Sequence, residues 1–279
     1  MNTKINDLWD DVNNLPLVLK NSARNFSSLP ALTSEQGVDY TYQELELATR
    51  HTAVTLLAAG IGQGDKVAIL SENSPHWVVA YFGILATGAT TVPILPDFQG
   101  PEVLSILEHA EAKALFVSGK LVSRLAAGLP PAVEMVFNTD DFQLLDVKKD
   151  EPVLTAHTPG TLKKLEVDPS TLGKGEGLYE AEGKDLASII YTSGTTGRSK
   201  GVMLTHQNIL SNAKSSWTIH AVVETDRFLS MLPLAHSYEC TIGMMVPLLN
   251  GAQIHYIDRA PTASYLKPLL QKIRPTTML

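Results

Sequence analysis

Short apolar runs alternate along this chain with helical stretches, and that constrains it most, because a strand apolar on both faces needs cover on both. The pattern predicts strands at residues 67–70, 90–94, 114–117, 133–137, 186–190, 227–232 and 253–257. Helices are predicted at 101–110, opened by Pro101, at 237–249, and around 263–273. Thr41-Tyr42-Gln43-Glu44 has the spacing of a capping box, in which threonine and glutamate each satisfy a backbone N–H, and the helix it opens ends near Gly60. Ser74 caps a further helix, from Pro75 to about Thr87. The expected fold class is α/β, with largely parallel sheets flanked by helices. From 138 to 184 the pattern lapses into mixed charge, proline and glycine, including Gly173-Lys174-Gly175-Glu176-Gly177, and reads as an irregular connection.

One loop carries most of the chemistry. Tyr191-Thr192-Ser193-Gly194-Thr195-Thr196-Gly197-Arg198-Ser199-Lys200-Gly201 gathers hydroxyls, glycines and a lysine, after the strand at 186–190 and ahead of a capped helix start at Thr205-His206-Gln207-Asn208. Glycines let successive backbone N–H groups converge on an anion without a Cβ in the way. Ser193, Thr195, Thr196 and Ser199 add neutral donors, and Lys200 adds a mobile positive charge. The P-loop pattern, G-x-x-x-x-G-K-[ST], does not fit, because two residues separate Gly197 from Lys200 and Gly201 follows the lysine. A flexible surface linker would use the same small residues, but the lysine and the flanking strand and helix favour an anion site.

Taken as a run through Gly201-Val202-Met203-Leu204-Thr205-His206, this loop resembles the signature of the adenylate-forming (AMP-binding) superfamily, which includes acyl-CoA synthetases, peptide-synthetase adenylation domains and luciferases. Gly64-Asp65-Lys66-Val67-Ala68-Ile69-Leu70, Asn73-Ser74-Pro75-His76-Trp77, the run from Gly83 to Ala89 and Val92-Pro93 follow that family's early segments in order. Leu232-Pro233-Leu234-Ala235-His236-Ser237-Tyr238-Glu239 resembles the form found in long-chain fatty acyl-CoA synthetases. Residues 120–184 carry no motif of the family.

The resemblance implies ATP-dependent activation of a carboxylic acid, through an acyl-adenylate, to the thioester of coenzyme A. It assigns Thr192, Ser193, Gly194, Thr195, Thr196, Gly197, Ser199 and Lys200 to the nucleotide, with Thr195 as a hydroxyl ligand to Mg2+ and Lys200 catalytic as well. His236 would position the substrates and is counted with Lys200 as a catalytic candidate. From its residues alone His236 also reads as a hydrogen-bonded structural side chain. Glu239 reads equally as a first-turn acid favoured by the helix dipole. His206 and Asn208 belong to a helix start, and Asp140-Asp141 to a solvated turn. The rival readings are a sibling enzyme that uses another carboxylate or a carrier-protein acceptor, and a noncatalytic nucleotide-binding or partner-binding module.

The same resemblance makes residues 1–279 the N-terminal part of an adenylation domain, without the rest of the domain or a C-terminal lid. Pro275-Thr276-Thr277-Met278-Leu279 reads as a loop entering a buried strand. A piece of this kind is expected to be inactive by itself and to expose an apolar surface that favours homo-oligomers. Composition agrees with a soluble cytoplasmic enzyme, and the resemblance implies small-molecule substrates. A net charge of −7 argues against general nucleic-acid binding. The single cysteine, Cys240, cannot form an internal disulfide and reads as a small buried side chain. The N-terminus lacks the apolar core of a secretory signal. The uncharged stretch 73–96 is broken by glycine, threonine and proline, so it reads as helix then strand and not as a membrane span.

Overall fold

The computed structural model describes Trp9 and residues 11–145, 178–192 and 200–279. In chain order, α1 (Pro16–Phe26), β1 (Pro30–Ser34), β2 (Tyr40–Thr41) and α2 (Tyr42–Ala58) come first. They are followed by β3 (Lys66–Leu70), α3 (Pro75–Ala86), β4 (Thr90–Ile94), α4 (Gly100–Ala110), β5 (Ala114–Val117), β6 (Met135–Asn138) and β7 (Leu144–Leu145). After the segment at 146–177 come β8 (Leu186–Thr192), β9 (Lys200–Thr205), α5 (His206–Ile219) and β10 (Arg227–Ser230). A π-helical stretch, Glu239–Met245, runs into α6 (Val246–Leu249), and β11 (Gln253–Tyr256), α7 (Ala263–Ile273) and β12 (Thr277–Met278) complete the chain.

Two sheets result. One has the order β7-β6-β5-β3-β4-β8-β9 and the other β12-β10-β11-β1-β2. Within the first, β6, β5, β3, β4 and β8 are parallel, and only the edge strands β7 and β9 run antiparallel. Within the second, only β2 is antiparallel. Alternate residues of β3 show why the sheet is covered twice: Val67 and Ile69 join a core with α3, while Ala68 and Leu70 join a second core with Val103, Ile106 and Leu107 of α4.

Helix α3 lies between the two sheets. Every residue in it except His76 is buried, and its side chains share one core with Leu32 and Ile254 of one sheet and Val67, Ile69 and Phe116 of the other. Its uncharged sequence is therefore that of a central core helix, and no helix among the described residues is long and apolar enough to cross a membrane. Local signals set the ends. Ser74 Oγ accepts the Trp77 N–H at 3.1 Å, and Thr41 and Glu44 form the expected capping box at α2. Thr205 and Asn208 form another at α5, whose first residue, His206, is buried and accepts the Leu15 N–H on Nδ1 at 3.1 Å.

Several sequence expectations are corrected. The predicted helix at 237–249 is π-type for most of its length. The C-terminal strand, β12, is a half-exposed edge strand and not a buried one, with Met278 52% exposed beside β10. The connection expected across 138–184 contains β7 near its start. At its end Tyr179 lies over Gly88, donates to Asp185 Oδ2 at 2.9 Å and accepts from Gln63. The glycine run at 173–177 lies outside the described residues.

A packing test follows from α2 and α3. A Cβ on Gly83 would stand 2.7 Å from Thr52 Cγ2 and 2.8 Å from Thr52 Cβ. Rotating Thr52 cannot relieve the second contact. Gly83→Ala should lower stability, because overpacking of about 1–3 kcal/mol exceeds the gain in helix propensity of about 1 kcal/mol. Urea unfolding followed by tryptophan fluorescence measures it.

Candidate active site

Strand β8 is parallel to β4, with Ser188 opposite Thr91, so Thr192 stands at the carboxyl end of the parallel strands. Open α/β sheets take their ligands at that edge. β9 returns antiparallel, and Thr192 pairs with Lys200 across the hairpin. Residues 193–199 therefore leave and rejoin the sheet at adjacent points. Ser193, Gly194, Thr195, Thr196, Gly197 and Ser199 lie outside the described residues, as does the magnesium assignment to Thr195. Lys200 is exposed.

The sequence reading missed β9, passing directly from loop to helix. Val202 and Met203 are 45% and 65% exposed at the sheet edge, so the strand lacks the alternation that marks a half-buried one. Gly201 also has a packing reason not read from the sequence. It sits opposite Tyr191, where a Cβ would lie 2.8 Å from Ile189 Cγ2 and 3.3 Å from Tyr191 Cζ. The Tyr191 hydroxyl meets His109 Nδ1 at 2.6 Å, tying the end of β8 to the end of α4.

His236 stands on the turn after β10, in the other sheet. It is exposed, and its Nδ1 accepts the Tyr238 N–H at 3.3 Å. Asn73, on the turn after β3, holds this second turn: Nδ2 donates to Leu232 O at 2.6 Å and to Ser230 Oγ at 3.2 Å, and Oδ1 accepts the Leu234 N–H at 2.7 Å. The carboxyl ends of β3 and β10, one from each sheet, are thereby joined. Beside them Ser118 Oγ donates to Glu72 Oε2 at 2.6 Å, adding the end of β5. The sequence marked Asn73 only as part of a motif, and nothing in the spacing indicated its partners. The expected positions fall into two groups, Thr192 with Lys200 on the hairpin and His236 on the Asn73-held turn.

Glu239 differs most from its sequence reading. It is in the first helical turn, as expected, but fully buried, and Ser230 Oγ donates to its Oε1 at 2.5 Å. Oε2 has no hydrogen-bond partner among the described residues. Gly243 makes room for the carboxyl, since a Cβ there would lie 2.5 Å from Glu239 Cδ. Burial pushes the carboxyl up to about 7, with the Ser230 hydrogen bond opposing.

A cavity of about 760 Å³ between α1, α2 and residues 178–182 includes none of the site residues named from the sequence. Among the described residues no group of three or more His, Cys, Asp or Glu side chains could hold a metal ion.

Comparison with known proteins is decisive on kinship. The family of AMP-binding enzymes matches residues 19–279. The chain belongs to that family. A methyl-dioxo-octahydroindenyl-propanoyl:CoA ligase of Rhodococcus jostii is 32% identical over 249 residues, covering 86% of this chain and 46% of the relative. The medium-chain fatty-acid–CoA ligase of Escherichia coli is 29% identical over 272 residues, covering 98% of this chain and 46% of the relative. This AMP-binding chain thus spans about half the length of the curated relatives it matches. Its fold is that of the inhibitor-bound N-terminal domain of FACL13 from Mycobacterium tuberculosis, with a TM-score of 0.76 at 24% identity over 96% of this chain and 62% of that one.

The buried acid gives a pH test. Because the folded state holds the Glu239 proton more tightly than the unfolded one, stability is fully present below the ordinary carboxylate range and falls as pH rises through about 7. Glu239→Gln should lose this dependence. Melting temperatures from pH 5 to 8 should fall for the wild type relative to the Gln variant, by about 2–4 °C for each kcal/mol in a domain of roughly this size.

Proposed function

We propose that this chain supplies the phosphate-binding part of an enzyme that joins a carboxylic acid to ATP and passes the acyl group to coenzyme A. The observation that carries the reading is the β8–β9 hairpin. It places Thr192 and Lys200 side by side at the carboxyl edge, bracketing residues 193–199. In the proposed reaction a carboxylate oxygen attacks the α-phosphorus and the bond to the bridging oxygen breaks, so pyrophosphate departs. The thiolate of coenzyme A then attacks the acyl carbon, and AMP leaves. Both first substrates are anionic and the leaving group accumulates charge, so a mobile ammonium and convergent amide donors suit the step. Lys200 is assigned the terminal phosphates. Thr192, Ser193, Gly194, Thr195, Thr196, Gly197 and Ser199 are assigned the loop contacts, and His236 the placement of carboxylate and nucleotide.

Magnesium would be held mainly by the nucleotide's own phosphates, with the Thr195 hydroxyl as one neutral ligand. A single hydroxyl is a poor cage for a hard dication. The acid is proposed to be a long-chain fatty acid, on the motif from Leu232 to Glu239, in a cytoplasmic setting. The relatives' names span a bicyclic propanoate and a medium-chain fatty acid, which supports a carboxylate with a large apolar body.

Lys200→Ala separates the enzyme from a noncatalytic module. Lys200 is exposed, so stability should change by less than about 0.5 kcal/mol. Loss of a charge-assisted phosphate contact, worth about 1.5–3 kcal/mol, should cut ATP-pyrophosphate exchange in the complete enzyme at least tenfold. Equal exchange by both proteins would remove Lys200 from the site.

Acyl preference is read with a series from acetate to hexadecanoate, alongside benzoate and amino acids, in a CoA-dependent AMP-release assay. Each added methylene should raise kcat/KM about fourfold until the pocket is full, from about 0.8 kcal/mol per buried CH2. A preference for benzoate or an amino acid would end the fatty-acyl assignment.

A further inference from the structure

Glu239 is a fully buried carboxyl that the adenylation chemistry described above does not use, and it lies three residues from His236. Three observations make its burial specific. First, the backbone around it is π-helical, a local widening that recurs where a helix serves a site. Second, Gly243 leaves the space the carboxyl fills; with a Cβ 2.5 Å from the carboxyl carbon, no other residue fits without moving it. Third, Oε1 is the end of a continuous chain of hydrogen bonds. Ser230 Oγ donates to it, Asn73 Nδ2 donates to that same Oγ, and Asn73 grips the turn at Leu232 O and Leu234 N–H.

Ser230 has one proton to give. It can accept from Asn73 and donate to Glu239 at the same time, so the carboxyl fixes which way the hydroxyl points and which face Asn73 meets. We infer that Glu239 is a positioning residue: acting through Ser230 and Asn73, it sets the turn at residues 231–236 and so the place of His236. This inference rests on the proposed adenylation site for its functional meaning and on the hydrogen bonds alone for its structural one.

Among the described residues, the groups around the carboxyl leave it without a charged partner. Ser230 faces it from β10, and Tyr256 lies near it on β11. Cys240 is its neighbour on the same helical segment, with Tyr81 of α3 beyond. Burial pushes Cys240 up to about 12 and raises both tyrosines, so all three stay protonated at neutral pH. α5, packed on the same segment, buries His206, which burial lowers to about 4 and so keeps neutral. Ionisation of Glu239 near neutrality strengthens the Ser230 bond, but the burial cost of the charge is larger, so opening of the segment to water, and with it loosening of the turn, should grow as pH rises.

The experiment compares wild type, Glu239→Ala, Glu239→Gln and Asn73→Ala. Amide hydrogen exchange of the 279-residue chain is read at residues 231–238, with β3 and β5 as internal controls for folding. Glu239→Ala and Asn73→Ala should lower protection at Leu234 at least tenfold while β3 and β5 hold. Glu239→Gln, which still accepts from Ser230, should stay within threefold of wild type at pH 6 and, unlike wild type, should not lose protection by pH 8. In parallel, affinity of the complete enzyme for a non-hydrolysable dodecanoyl-sulfamoyl adenosine is measured from pH 6 to 8. Wild type should weaken with rising pH, Glu239→Gln should not, and Glu239→Ala should bind at least tenfold less tightly throughout. If wild type fails to bind the probe, the adenylation reading fails, and the exchange data still decide the positioning role. Unchanged protection at Leu234 in Glu239→Ala, or a Gln variant as impaired as Ala, would overturn the inference.

Discussion

The burial of α3 between two sheets is the constraint on which the rest of this structure depends. A helix with eleven buried residues and no formal charge has nowhere to go but the centre. Once it is there, each sheet must turn one face towards it. The five-stranded sheet meets it through Leu32 and Ile254 and the seven-stranded sheet through Val67, Ile69 and Phe116, so two separate hydrogen-bonded units share one core. The remaining face of the larger sheet is then free to take α4. Burial of this kind is non-directional. It brings the sheets together but does not by itself align their ends.

Alignment comes from directional contacts at one rim. Asn73 spends both ends of its amide on the turn after β10. The rim is also where strands end and backbone groups are free to meet ligands. The hairpin that brings Thr192 to Lys200 occupies the edge of one sheet, and the turn carrying His236 occupies the end of a strand in the other. Both sheets therefore contribute to this rim while the core beneath stays apolar.

Much of this was legible in the sequence because it is local. Capping boxes at Thr41 and Thr205 and the serine cap at Ser74 act over three residues, and the helices they open begin where expected. Strands β4 and β5 have no polar alternation to blur their ends, and the structure gives them the bounds the pattern predicts. Strand β9 was missed because its apolar side chains are exposed on an edge, so its pairing comes from β8 alone. The strand at the C-terminus was placed correctly but given the wrong burial, since apolar composition cannot say that Met278 lies at an edge.

Sequence by itself determined the kind of fold and the family signature, because periodicity, caps and motif spacing are properties of neighbouring residues. Tertiary structure decided which groups meet. It joined Asn73 to Leu232 and Leu234 across about 160 positions, gave Gly201 and Gly243 their reasons by placing Tyr191 and Glu239 against them, and buried the first-turn acid Glu239. The physical reason is that hydrogen-bond partners and desolvation depend on distance in space. A carboxyl is an ordinary surface acid in the sequence until the fold removes its water.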